Sequence, residues 1–200
     1  MKKLLGYLLP LVLLLTACGA DAGTDRVSEV QTLYASLRGY AAEVKIDIPR
    51  EDETLRYTLS LTKNNDALSA RVLTPDALKG VTAHIDGDAL ALEYDGVMLD
   101  AGTLNPKVSA LSCVPLLLRA FPESYITAQS TERFGEQDAL RVCFETDCGG
   151  EKLACTVYFS EDNAPLYAEI AENGKIILFA EFTDFTFGDI LSSDAQTKSE

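Results

Sequence analysis

The chain has 200 residues and a mass of 21.7 kDa, with 47% hydrophobic and 24% charged residues, a balance that builds a core and excludes a disordered tail. Seventeen Lys and Arg against 31 Asp and Glu give a net charge of −14, which repels phosphate backbones and speaks against nucleic-acid binding. One histidine and no tryptophan leave little material for a histidine-based metal centre or acid–base machine, so an enzyme is not expected.

Lys2 and Lys3 precede the apolar run 4–15, which has the length of a secretory leader and falls short of the roughly 18 to 20 residues that span a bilayer. It is followed by Leu15-Thr16-Ala17-Cys18, which resembles the lipobox of bacterial lipoproteins. That resemblance implies cleavage after residue 17 and a diacylglycerol on the Cys18 thiol. Residues 1–17 are therefore expected to be a signal peptide, and 18–25 the lipidated cysteine with a small, polar, flexible tether. The acyl chains would moor the protein to a membrane on its extracytoplasmic face. Cleavage removes two lysines and no acid, which takes the charge from −14 to −16 and pushes the folded part away from anionic headgroups.

Val27, Val30, Leu33, Tyr34 and Leu37 recur at three- and four-residue spacing and predict a helix over 26–37, with Thr24 or Asp25 as N-cap and Gly39 as its stop. From Tyr40 the period changes to two, through Ala42, Val44, Ile46 and Ile48, and predicts a half-buried strand. Further strands are expected over 55–63, 67–73, 81–86, 89–94 and 97–100, then a helix over 109–121 with a kink at Pro115, then five more strands ending in the long 175–187.

Two-residue hairpin loops fix which residues stand opposite, and apolar faces must then coincide. Asn64-Asn65 as a loop sets Leu61 against Leu68, Leu59 against Ala70 and Tyr57 against Val72. Gly87-Asp88 sets Ile85 against Leu90 and Ala83 against Leu92, and Asp95-Gly96 sets Tyr94 against Val97 and Leu92 against Leu99. Gly149-Gly150 sets Phe144 against Cys155, Val142 against Val157 and Leu140 against Phe159. Asn173-Gly174 sets Ile170 against Ile177 and Ala168 against Phe179. The chain therefore reads as an antiparallel meander.

The fold class expected is α+β, a strongly curved antiparallel sheet of about eleven strands, a half-barrel, with two helices covering its concave face. Residues 26–188 form that domain and 189–200 a flexible tail. Lipobox, polar leash, helix, six strands, apolar helix and five strands in that order are similar to the LolA/LolB superfamily of periplasmic lipoprotein carriers and receptors. So is the stretch from Leu73 through Pro75 to Val81, with the Asp-Gly turns that follow. The resemblance implies a half-barrel lidded by helices around an apolar cavity for acyl chains. A narrower resemblance, in size, lipobox and acidic meander, is to the germination lipoproteins of spore-forming anaerobes. It implies a non-enzymatic partner of a cell-wall amidase in spore-cortex maturation.

Cys113, Cys143, Cys148 and Cys155 make an even count that invites disulfides. The hairpin register puts Cys143 on the polar side and Cys155 on the apolar side, so these two are not expected to bond. Cys113 either meets Cys155 in the core or stays a buried thiol. A zinc site built from Cys143, Cys148 and Cys155 lacks a fourth ligand, and no metal or cofactor is expected beyond the covalent diacylglycerol. His84 falls on the solvent side of its strand, Asp86-Gly87-Asp88 is a turn without the further acids of a calcium loop, and Glu43, Asp47, Glu145 and Glu169 alternate outward.

The candidate binding surface is the apolar sheet face, Leu59, Leu61, Val72, Ile85, Leu92, Val142, Val157 and Phe179. If the helices fill it, the protein acts through its outer surface on a protein partner in the envelope. If they fall short, a cavity for acyl chains remains.

Overall fold

The computed structural model describes residues 22–103, 110–148 and 150–188, so the leader, Cys18 and the tail 189–200 lie outside the described residues. Helix α1 is Ala22–Ser36, and strands β1 (Gly39–Pro49), β2 (Thr54–Asn64), β3 (Ala67–Thr74), β4 (Thr82–Asp86), β5 (Ala89–Tyr94) and β6 (Val97–Thr103) follow. Helix α2 is Ala110–Ala120, and β7 (Ile126–Phe134), β8 (Gln137–Cys148), β9 (Glu151–Phe159), β10 (Pro165–Glu172) and β11 (Lys175–Phe187) complete the chain. The eleven strands form one open antiparallel sheet in the order β6-β5-β4-β3-β2-β1-β11-β10-β9-β8-β7. The fold class is the α+β half-barrel that the alternation and the resemblance imply.

Helix α1 starts at Ala22, four residues before the expected place, so 22–25 are helix rather than tether. Short polar residues suit a first helical turn as well as a leash, and composition does not separate the two. Helix α2 runs through the buried Pro115 and gives way to a 3-10 turn over Phe121–Glu123.

Ile85↔Leu90, Leu92↔Leu99, Val142↔Val157 and Phe144↔Cys155 pair as the arithmetic requires. The β2–β3 loop is Asn65-Asp66 instead of Asn64-Asn65, so Leu61 meets Ala70 and Leu59 meets Val72. The partner moves by two residues, which leaves every side chain on its expected face. At Asn173-Gly174 the outcome differs. Glu172↔Lys175 and Ala171↔Ile176 pair next to the turn, but a bulge then sets Ile170 against Leu178 and Ala168 against Ala180. One extra residue inverts the parity of all that follows it, so Phe179 turns to the convex face, opposite Glu169 and Asp47.

The core lies on the concave face. Val44 and Ile46 of β1, Leu59 and Leu61 of β2, Val142 and Phe144 of β8 and Val157 and Phe159 of β9 are buried against Val30 of α1 and Val114, Leu117 and Phe121 at α2. Tyr34 of α1 meets Phe121 edge-on at 5.6 Å and Phe159 at 5.6 Å. Gln31 Nε2 donates to the carbonyls of Phe121 and Ser124 at 3.1 and 3.0 Å, which fixes α1 against the turn after α2. Arg26 Nη2 donates to the Ser160 carbonyl at 2.8 Å and the Tyr34 hydroxyl to that of Asn163 at 3.1 Å, tying α1 to the β9–β10 loop.

Gly39 opens β1 rather than capping the helix. A Cβ there would overlap the Gly188 carbonyl oxygen and lie 3.2 Å from that of Lys63, because backbone presses on it from β2 and from the residue that follows β11. Gly39→Ala is expected to destabilise the fold by about 1–3 kcal/mol, read as a lowered urea midpoint with an unchanged m value. An unchanged midpoint would contradict the close approach.

Candidate functional site at the concave face and its mouth

Five of the candidate residues come together as the sequence places them. Ile85 is buried apart from them, and Leu59, Leu61, Val72, Val142 and Val157 share one cluster with residues of the two helices. Leu92 packs against its margin, half-buried, because β5 lies farther out than the helices reach. Phe179 does not join them. It stacks on Tyr167 at 6.3 Å on the outer face, beside Lys45, Asp47 and Arg56.

The helices fill the middle of the concave face but leave openings at its mouth. A cleft of about 600 Å³ is lined by Cys113, Leu117, Arg119, Asp147 and Cys155, and another of about 570 Å³ by Tyr34, Tyr40, Lys63, Ile85, Leu118 and Arg119. Arg119 stands between them. Its guanidinium donates to the Gly87 carbonyl and, at 2.7 Å, to the Asp88 carboxylate, so the end of α2 is strapped to the β4–β5 turn. Both partners are solvent-exposed, so the strap positions the mouth and adds little stability.

Tyr40 carries the most unusual chemistry of the second cleft. Its hydroxyl is buried and meets no hydrogen-bond partner among the described residues, and its ring stacks on Phe185 at 5.3 Å. Burial pushes the Tyr40 pKa up, and burial with Tyr40 beside it does the same to Tyr34. At the rim Lys63 Nζ donates to the Leu37 carbonyl at 2.7 Å, and partial burial lowers its pKa against the opposing pull of Asp66. Sequence reasoning passed over Tyr40 because it occupies an apolar slot in the alternation of β1, and Arg119 because a base in a last helical turn is ordinary.

The remaining candidates disperse. Cys113, Cys143 and Cys155 are thiols, with Cys143 Sγ facing the Thr156 hydroxyl at 3.5 Å and Cys155 in the core, on opposite faces of the sheet. The Cys148 side chain lies outside the described ones. His84 Nε2 sits 2.7 Å from the Glu93 carboxylate in the wall of an outer-face trough of about 1140 Å³, which Ser60, Thr62, Arg71 and Asp100 also line. Glu43, Asp47, Glu145 and Glu169 are spread over three strands of the convex face. Among the described residues no three His, Cys, Asp or Glu are placed to hold a metal, and no helix is long and apolar enough to cross a membrane.

No protein-family model matches the sequence, and no curated protein is significantly similar to it. Among solved structures, a DUF1329 family protein from Desulfovibrio piger superposes with a TM-score of 0.53 at 11% identity, covering 86% of this chain and 94% of that one. An uncharacterised conserved protein from Thermus thermophilus gives 0.52 at 11%, covering 84% and 89%. A LolA superfamily protein from Nitrosomonas europaea gives 0.46 at 9%, covering 84% and 94%. The likeness is one of fold.

A tyrosine whose folded pKa is raised stays neutral where the unfolded chain ionises. The stability that Tyr34 and Tyr40 contribute is therefore fully present below about pH 10 and lost as pH rises beyond it. Urea midpoints are expected to hold level from pH 7 to about 9 and to fall above 10, less steeply for Tyr40→Phe. At pH 7 Tyr40→Phe should be neutral or stabilising by up to about 1 kcal/mol, since it deletes a buried hydroxyl without a partner. A clear loss at pH 7 would mean that the hydroxyl is satisfied.

Proposed function

We propose that the chain is a lipid-anchored protein of the cell envelope that works by binding, without catalysis, as an adaptor for a protein partner. The filled centre of the concave face carries this reading: Leu59, Leu61, Val142 and Val157 are fully buried in one cluster with residues of both helices. Among the described residues, the large apolar side chains left in solvent lie mostly elsewhere, on the β5–β6 hairpin. Anchoring follows from the lipobox resemblance at Cys18 and places the domain on the extracytoplasmic face, held off the headgroups by its negative charge. The resemblance to germination lipoproteins suggests a cell-wall amidase in spore-cortex maturation as the partner.

A second reading, acyl-chain carriage or sensing, is favoured by one observation. The cleft beside Leu118 and Ile85 is also lined by Tyr34, Tyr40 and Leu68, an apolar and aromatic wall of the kind that an acyl chain contacts.

Two measurements test the proposal. Cys18→Ser is expected to abolish labelling by radioactive palmitate and to move the protein from the membrane fraction to the soluble one. Native mass spectrometry of the detergent-extracted protein is expected to show no non-covalent lipid in the folded domain. A bound lipid, lost on Leu118→Glu or Ile85→Glu, would replace the adaptor reading with the carrier.

A further inference from the structure

The sheet has two edges, β6 and β7, and they are built differently. Strand β7 carries Glu132 and Arg133, paired with Arg141 and Asp138 of β8 at 3.9 Å each, the charged dressing by which soluble proteins discourage strand addition. Strand β6 has no Lys, Arg or Pro, and every one of its residues is exposed. Tyr94, Val97, Met98 and Leu99 are 57%, 60%, 57% and 64% exposed, four of the seven large apolar side chains so placed among the described residues.

Register assigns these side chains to faces. Leu99 continues the concave row Leu61↔Ala70↔Ala83↔Leu92, and Val97 stands opposite Tyr94 on the same side. Met98 and Asp100 continue the convex rows that hold Glu93 and His84. The usable edge ends at Asp100, because a bulge follows and the Asp100 carboxylate accepts the Gly102 N–H at 2.9 Å. Residues 89–103 contain Glu93, Asp95 and Asp100 and no basic residue. A second copy would bring the same three acids and another −14, so self-pairing is opposed by charge.

We propose that β6 accepts an added strand from a partner protein, along residues 97–100. The incoming segment is extended, with apolar side chains toward Val97 and Leu99 on the concave side and Lys or Arg toward Glu93 and Asp100 on the convex side. The proposal rests on the adaptor reading and names the surface and chemistry of its contact.

The probe is a fluorescent seven-residue peptide of valine alternating with lysine and arginine, titrated into the full chain. Saturable one-to-one binding is expected, weakening as salt is raised, with new amide protection confined to residues 97–100. Leu99→Lys and Val97→Lys should each weaken it by about tenfold or more, and Thr131→Lys on the opposite edge should not. Both altered positions face solvent, so the fold is retained. The proposal is overturned by no saturable binding at millimolar peptide, by equal affinity for a valine–glutamate peptide, by indifference to both β6 substitutions, or by a salt-stable dimer that Leu99→Lys dissolves. Bound lipid in the folded domain would remove the adaptor reading whatever the peptide does. Failure of the peptide with lipid-free protein removes only this proposal.

Discussion

The pairing of β1 with β11 is the constraint on which the rest depends. Each half of the chain is a local meander, β1–β6 and β7–β11, and the two become one sheet only where Val44 meets Phe182 and Ile46 meets Ala180. The seam is reinforced by the Thr183 hydroxyl donating to the Glu43 carbonyl and the Thr186 hydroxyl to that of Ala41, both at 3.3 Å. It closes at Gly39, where the Gly188 N–H reaches the Gly39 carbonyl and a side chain would not fit. Without it the two meanders are separate sheets. Helix α1 precedes β1 and α2 joins the two halves, so the same seam brings both helices over one surface. Contacts this distant in sequence form late and slowly.

That seam was not legible in the sequence, whereas the hairpins were. Turns such as Gly87-Asp88 and Asp95-Gly96 couple residues a few positions apart, and the alternation on either side states the register. A long-range pairing has no such marker. Bulges are as hard to see: Ile176, Ile177, Leu178 and Phe179 are apolar in succession, so no alternation shows that Ile177 is the residue left out of the ladder. The turn at Asn173-Gly174 alone puts Phe179 on the concave face, whereas it belongs to an outer aromatic row with Tyr167, Tyr158 and Phe134. The burial of Tyr167 there, with Glu169 alongside, pushes its pKa up to about 12.

The candidate site was legible where it is made of packing and illegible where it is made of single polar atoms. Leu59, Val72, Val142 and Val157 announce themselves by period, since a face buried under helices must be apolar throughout. The Tyr40 hydroxyl and the Arg119 strap depend on where the mouth of the sheet falls in space. Val97-Met98-Leu99 did carry a signal. Three consecutive large apolar residues break the alternation that a half-buried strand needs, so at least one had to face solvent.

Geometry explains why the uncovered wing is β5–β6. Helix α2 has 11 residues and is about 16 Å long, whereas the six strands from β1 to β6 span about 24 Å. Even laid straight across the strands, one such helix cannot reach the edge, and among the strands of this half it packs most closely on β3. The concave row accordingly grades outward, from Leu61, Ala70 and Ala83, all fully buried, through half-buried Leu92 to Leu99 in solvent. A sheet edge left both apolar and unpaired beside a gap in its lid is costly in water, and nothing in the packing of the core requires it. Strand β6 contributes no residue to the buried cluster, whereas Leu90 and Leu92 of β5 pack against it. The place of β6 in the chain is therefore better explained by what it contacts than by what it stabilises.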